Sequence, residues 1–543
     1  MTLAWSAPEL AALRDIDVAL ARTLERLWPD ADPLALPIAA VASWAVQEGH
    51  GCLDLDTLRR DGAMRAVLAG DPRVGEVEPD AWRVALAASP FAGDGSSATP
   101  LVLDGERVYL KRYFDYEREV ALALRARFRT PAAASRDDRQ QLAIARALTE
   151  PLTVICGGPG TGKTWTIARL VERLGAEQPG VRIALAAPTG KAAARLTAAL
   201  HEAFPGTTLD ATTLHRLLGI GGGERAPRHD AARPVPYDVV IVDECSMVDL
   251  ALFAKLMRAL RAATRLVLVG DPGQLPAVEG GAVLGELAAL AARDPARAQV
   301  VTLDRARRFE DARAVAALTQ AIADGNADAT FAALAGEGIA WHEAPLAESH
   351  ATFDALARRA YGGLARSDHP PVALAGLARF RLLCALRAGP YGVAGLNAAV
   401  EAALGVARSE RAAYAGRPIL VTENDAALGL SNGDAGVVLL DVDGRATAYV
   451  GDPRGAPRRF ALAHLPAHET AYAMTAHKAQ GSEFDEVAIV LPPEPHPLVT
   501  REWLYTAVSR ARRGVHVFAS RAAIEAALVR RVTIMSGLRG RLT

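Results

Sequence analysis

A chain of 543 residues is too long for one hydrophobic core and predicts roughly three domains. Hydrophobic residues make up 50% of it, yet much of that share is alanine and charges interrupt nearly every window long enough to cross a bilayer, which excludes a membrane-spanning chain. A formal net charge of −1 argues against a protein that coats nucleic acid non-specifically, while leaving a local basic groove open, and four cysteines without CxxC spacing argue against zinc and against a disulfide framework.

Met1 to about Arg129 reads as helical, with acids early and no basic segment leading into an apolar run, so no secretory or transit signal is expected and a cytoplasmic setting fits. Inside it, "TPLVLDGERVYLKRYF" alternates around Asp104-Gly105 and predicts a hairpin. No nuclease-like carboxylate cluster accompanies it. "TPAAASRDD", 130–138, reads as a linker. Beyond it the apolar runs "LTVIC", "RIALAA", "DVVIVDE" and "RLVLVGD" alternate with helical segments. That alternation implies parallel strands with crossover helices and ligands beyond the carboxyl ends of the strands. "GIGGGERAPRHDAARPVP", 219–236, interrupts the pattern as an inserted loop. From about Asn326 a second mixed segment begins, within which "GDAGVVLLDVDGRATAYV" predicts a small antiparallel module turning at Asp443-Gly444.

"VICGGPGTGKTWT" places Gly157, Gly158, Pro159, Gly160, Thr161, Gly162, Lys163 and Thr164 between an apolar strand and a helical run, the context a P-loop requires. Its glycines let backbone N–H groups turn inward on phosphate oxygens; Lys163 reaches the β- and γ-phosphates, and the Thr164 hydroxyl ligates magnesium. Hydrolysis needs a second strand bearing carboxylates, and "VVIVDE" supplies one: Asp243 to hold magnesium through its water shell, Glu244 to orient and deprotonate the attacking water. "LVLVGDPGQLP" brings Gln274 to the same edge as a γ-phosphate sensor. "AMTAHKAQGSEFD", Ala473 to Asp485, is harder to place. His477 has no second histidine at ligand spacing and Lys478 would oppose a cation, so a metal site is disfavoured.

The order "GGPGTGKT", "APTGKAAARL", "TLHRLLG", "VDECSM", "GDPGQLP", "AHKAQGSEFD", "YTAVSRARR" resembles that of the superfamily-one helicase motifs, and the wording resembles the RecD family, the alpha subunits of exodeoxyribonuclease V. "EGHGCLDL" and "LVLDGERVYLKRYFDYEREVA" extend the resemblance to the N-terminal part. It implies an α/β fold of two RecA-like P-loop NTPase domains with parallel sheets, a helical N-terminal domain and a small SH3-like β insertion. The boundaries expected are 1–130 for a partner-docking domain, 131–325 for the first RecA-like domain, and 326–543 for the second, with the insertion at about 427–468.

Position by position, the resemblance implies that Gln140 hydrogen-bonds adenine, with Gln141 beside it as the competing choice, and that Arg308 and Arg510 reach the γ-phosphate from the second domain. Gly481 and Glu483 would face the nucleotide, Glu483 at the ribose. Thr475 and His477 would face the DNA backbone. Pro188 and Thr189 would hold a DNA phosphate at a helix start; Thr213 and His215 match a second contact, although His215 reads equally well as a capped core residue. The implied activity is an ATP- and Mg²⁺-dependent DNA helicase with 5′-to-3′ polarity. It would engage the single-stranded 5′ tail of a duplex end, beside RecB-like and RecC-like partners, in double-strand break repair. A stand-alone helicase of the related monomeric type, a regulatory subunit with a vestigial nucleotide site, and a P-loop kinase or AAA-type remodeller are the rival readings.

Overall fold

The computed structural model describes residues 13–71, 74–129, 138–221, 227–277, 279–294, 299–304, 313–343, 346, 348–364, 367, 369–407, 413–425, 427–441, 443–451 and 456–543. Runs that are mostly apolar become strands covered on both faces. The first of these, Leu152–Gly157, is buried throughout and lies inside a six-stranded sheet. Its order is Val300–Leu303, Leu152–Gly157, Arg265–Gly270, Val239–Val242, Ile183–Ala187, Ala211–Thr213, and every pairing is parallel. Parallel register aligns the carboxyl ends, with Cys156 opposite Gly270 and Ala187 opposite Thr213. The P-loop, Asp243-Glu244, the Asp271–Gln274 turn, Pro188-Thr189 and His215 therefore all emerge at one edge. Adjacent strands lie about 4.8 Å apart, so the P-loop and the end of Ala211–Thr213 are separated by roughly 19 Å along that edge.

The second parallel sheet has five strands in the order Ile339–His342, Ala511–Phe518, Phe484–Val490, Phe380–Cys384, Ala473–Thr475. The helix Arg313–Asp324 buries Val315, Leu318 and Ile322 in this sheet's core, so the second unit takes in chain ahead of Asn326. Thr475 ends its strand at the carboxyl edge, whereas Glu483 and Arg510 precede the strands that begin at Phe484 and Ala511. The loop from Ala476 to Glu483 thus runs from one edge of the sheet to the other. That corrects the expectation that ligand-facing residues all follow strands: it holds for the first sheet and fails for Glu483 and Arg510.

An antiparallel five-stranded sheet is inserted in the second unit, ordered Arg458–Ala461, Ala446–Val450, Ala435–Leu440, Arg417–Val421, His468–Thr470. It starts at Arg417, ahead of the turn signals that marked it in the sequence. In the N-terminal unit the hairpin forms as read: Leu101–Asp104 pairs with Arg107–Leu110 and Gly105 takes φ +61° at the turn.

The last residues cross back over the molecule. Val532 N–H donates to Glu502 of the second unit at 2.8 Å. Three residues on, the Met535 carbonyl accepts from Gly51 and Cys52, and its N–H donates to His50 Nδ1 at 3.2 Å. The helix Leu538–Leu542 then places Leu538 and Leu542 in the first sheet's core, and Arg541 donates to the fully buried Glu117 at 3.0 Å and to Asp104 at 2.5 Å. No described helix is long and apolar enough to cross a membrane.

Candidate active site

The P-loop follows from the strand that feeds it. After Leu152–Gly157 the chain turns through Gly160 and Gly162, both left-handed at φ +75° and +85°, and enters the helix Lys163–Glu177. At Gly162 a Cβ would lie 2.3 Å from Gln140 Nε2, and at Gly158 2.9 Å from the Tyr505 hydroxyl, so side chains are excluded where the loop must curl. Lys163 Nζ donates to the carbonyls of Gly157 at 2.6 Å and Gly158 at 3.0 Å.

Around this loop lies a cavity of about 310 Å³. Gln140, Gly158, Pro159, Gly160, Gly162, Lys163 and Thr164 line it on one side, Asp243, Glu244 and Gln274 on another, and Glu483 and Arg510 close it from the second unit. Gln140 Nε2 donates to the Thr161 carbonyl at 3.1 Å while Gln141 is exposed, which separates the two glutamines. Gly157 and Thr161 stand behind the wall: one carbonyl accepts from Lys163 and the Thr161 hydroxyl donates to the Gly158 carbonyl at 2.9 Å. Gly481 falls outside the cavity wall. A Cβ there would come within ordinary contact distance of Ala192 and Thr189, so Gly481 faces the start of the helix that Thr189 caps. Arg308 lies outside the described residues.

Burial, with the Glu244 charge next, raises the pKa of the Asp243 carboxyl, and Asp243 Oδ1 accepts from the Glu244 N–H at 2.9 Å. Glu244 is the one non-glycine residue with positive φ among the described residues, at +50°. Such a conformation costs on the order of 1–3 kcal/mol and persists where the surroundings over-determine it. Gln140 Oε1, Glu244 Oε2 and Gln274 Oε1 are buried with no hydrogen-bond partner among the described residues. Three unpaired buried acceptors on residues that line one cavity mark a site built for a polar occupant.

Arg510 is buried and fixed at three points: Nε to the Thr506 carbonyl at 3.1 Å, Nη1 to the Ser482 carbonyl at 3.3 Å, Nη2 to Ser509 Oγ at 2.9 Å. Burial lowers its pKa, but guanidinium stays charged. Glu483 lines the cavity with one carboxylate oxygen engaged by Arg195 at 2.5 Å and the other by Arg512 at 3.2 Å, contacts that the sequence reading, which placed it at the ribose, did not include.

Sequence reading passed over Arg195, Trp165, Asp271 and Tyr505. Arg195 and Trp165 line the cavity, and the Tyr505 hydroxyl donates to Asp271 Oδ2 at 2.9 Å, where Gln274 Nε2 also donates at 3.1 Å. The available signal was position: Trp165 directly follows Thr164, and Arg195 lies in the helix that Thr189 caps.

The residues expected to face DNA fall into one recurring geometry. Thr189 accepts from Ala192 N–H at 3.2 Å, Thr213 from Arg216 N–H at 3.2 Å, and Thr475 from Lys478 N–H at 3.3 Å. Each hydroxyl oxygen is thereby held while its single proton is left to donate to a phosphate. Thr475 lines a second cavity, of about 630 Å³, with Lys478, Arg387, Asn397 and the inserted sheet's Thr422 and Thr470. Pro188 immediately precedes Thr189, and the following Gly190 lies near Ser431, in the loop between the Arg417–Val421 and Ala435–Leu440 strands. Burial, then the Arg387 charge, lowers the His477 pKa, so its ring is neutral at pH 7; His215 is exposed beside Thr213, which removes its reading as a core residue.

Three family models match the chain in sequence order: the RecBCD enzyme subunit RecD N-terminal domain over 9–109, an AAA domain over 140–280, and the UvrD-like helicase C-terminal domain over 470–518. The RecBCD enzyme subunit RecD of Mycolicibacterium smegmatis is 42% identical across 98% of this chain and 97% of its own length. That of Haemophilus influenzae is 31% identical across 93% and 92%. The ATP-dependent RecD2 DNA helicase of Deinococcus radiodurans is also 31% identical, across 93% of this chain and 69% of its own length. Among solved structures, the Pif1 helicase from Bacteroides in complex with ADP-AlF3 and ssDNA aligns with 72% of this chain and 94% of its own at 19% identity and a TM-score of 0.43. With near-complete coverage at 42% identity, the chain belongs to the RecD family of RecBCD enzyme subunits.

Proposed function

We propose that this chain is the ATP-dependent DNA helicase subunit of a RecBCD-type helicase–nuclease, exodeoxyribonuclease V, acting in double-strand break repair by homologous recombination. The observation that carries the reading is one cavity in which Lys163, Thr164, Asp243, Glu244 and Gln274 from the first unit meet Arg510 from the second. ATP fits that cavity by its donors and acceptors. Lys163 exchanges two loop carbonyls for phosphate oxygens, the N–H groups at the start of Lys163–Glu177 face the phosphates, and the unpaired Gln140 Oε1 takes the adenine amino group. Thr164 and Asp243 are the residues that would hold Mg²⁺, which supplies charge neutralisation at the phosphates. Glu244, with an unpaired buried oxygen, orients the attacking water and accepts its proton; Gln274 reports the γ-phosphate to the Asp271–Tyr505 contact.

Arg510 stabilises the charge that develops on the transferring phosphoryl group, and Arg308 would approach from the same unit. Because Arg510 is carried by the second unit, nucleotide binding favours closure and hydrolysis releases it. Thr189, Thr213, His215, Thr475 and His477 grip the DNA backbone without reading sequence, so alternating closure gives stepping along any strand. Movement is 5′-to-3′ on the single-stranded 5′ tail of a duplex end, in the cytoplasm. The N-terminal residues to about 130 dock RecB-like and RecC-like partners, which bring the nuclease.

The test is DNA-stimulated ATP turnover of Lys163→Gln: loss is expected, and unchanged turnover would remove the assigned site. Unwinding of a tailed duplex by the purified chain without partners would shift the reading to a stand-alone helicase.

A further inference from the structure

One helix carries two kinds of contact. Gly190–Ala203 is capped by Thr189 at the proposed DNA grip, and six residues on it presents Arg195 to the cavity. At 1.5 Å per residue those points lie about 9 Å apart along the axis. Arg195 Nη2 reaches across the cleft to Glu483 Oε1 at 2.5 Å, and Glu483 Oε2 meets Arg512 Nε at 3.2 Å. Arg195 lines the same cavity as Lys163, Asp243, Glu244 and Arg510. Nothing in the hydrolytic arrangement above uses it.

We infer that Arg195 is a further nucleotide-binding residue, held by Glu483 across the cleft and transferred to the terminal phosphate when ATP enters. The inference deepens the reading of this cavity as the ATP site and rests on it. Phosphate oxygens entering between Lys163 and Arg510 bring negative charge toward Glu483 and repel it. Guanidinium has five donors in a planar fork suited to phosphate oxygens, so Arg195 exchanges one anionic partner for another with no loss of charge-assisted hydrogen bonds. The exchange replaces the direct Arg195–Glu483 link with one that runs through the phosphate to Arg510, and makes the helix that Thr189 caps a rigid connection between fuel and track. ADP lacks the phosphate that completes the exchange, so Arg195 distinguishes the two nucleotides.

The experiment measures binding of fluorescent ADP and of a non-hydrolysable fluorescent ATP analogue to the full chain carrying Arg195→Ala, Arg195→Lys, Glu483→Gln or Lys163→Ala, each first compared with the native chain by thermal unfolding. Arg195→Ala is expected to raise the Kd of the ATP analogue by about tenfold, the scale of one charge-assisted hydrogen bond, and to leave ADP within about twofold. Arg195→Lys should recover part of that loss and stands in if the alanine variant unfolds. Glu483→Gln frees Arg195 and should tighten the ATP analogue. Equal weakening of both nucleotides by Arg195→Ala, or no change in either, overturns the inference. So does Glu483→Gln weakening both, which would return Glu483 to the ribose. Lys163→Ala binding both nucleotides normally would instead overturn the ATP-site reading beneath it.

Discussion

In the first RecA-like unit the site residues leave the carboxyl ends of buried strands, on loops whose polar atoms still await partners: Lys163 rests on two carbonyls, and Glu244 and Gln274 each bury an unpaired oxygen. In the second unit Arg510 precedes its strand and is already held in place, three of its five N–H donors bonded to Thr506, Ser482 and Ser509 and the side chain removed from water. The first unit is a cradle with acceptors left unpaired and a lysine resting on its own loop. The second contributes a fixed prong. The closure mechanism proposed above needs this asymmetry, because the energy of meeting the prong would be realised only when the two units approach.

Arg510 should therefore be the least forgiving position. Arg510→Ala is expected to lower ATP turnover by roughly 10³–10⁵ with little change in nucleotide affinity, and Arg510→Lys should fail to rescue, since one ammonium cannot reproduce three fixed bonds. A KM–kcat split from steady-state kinetics checks it; equal loss of affinity and rate would blur the cradle and the prong into one. Lys163→Gln, on the cradle side, should lower turnover by about 10²–10³ and weaken ATP as well, because its partner is present in the ground state too.

The next effect concerns how the second unit's tail is fastened to the other two. Burial pulls the His50 pKa from 6.5 down to about 4, and its Nδ1 accepts from Met535. The unfolded chain takes up this proton first, so the contribution is complete above pH 6.5 and is lost as pH falls towards 4, at about 1.4 kcal/mol per pH unit. Denaturant unfolding at pH 7, 6 and 5 should show that slope, and His50→Asn should flatten it. The smallest effect expected is in Gln480→Ala. Gln480 Nε2 donates to the Leu275 carbonyl at 2.8 Å, joining the loop that crosses the second sheet to the Gln274 turn of the first. Its loss should reduce unwinding a few-fold while basal ATP hydrolysis stays near normal, a difference on the order of one net hydrogen bond. Matched losses in both assays would deny that loop a coupling role.

Much of the first unit was legible because its strands are covered on both faces and its motifs follow them directly: "LTVICG" and "VVIVDE" announce strand, turn and chemistry in a few residues. Glu483 shows where legibility ended. As a letter in "AHKAQGSEFD" it is a carboxylate near a nucleotide motif; only the packing of two units brings Arg195 against it, and a contact spanning 288 positions leaves no local periodicity. The Tyr505–Asp271 bond was hidden for the same reason. The hairpin at Gly105 lay at the opposite extreme, since turn and alternation there are set by neighbours in sequence.

The returning C-terminus straps three units of the molecule together. Val532 is tied to Glu502 and Met535 to His50, leaving Thr533 and Ile534 as the free span between anchors. A residue extends at most about 3.6 Å, so that short bridge tolerates rotation far more readily than separation. The second unit is consequently strapped to the N-terminal unit by two residues and to the first sheet's core just beyond, which caps how far those units can separate while leaving them free to turn.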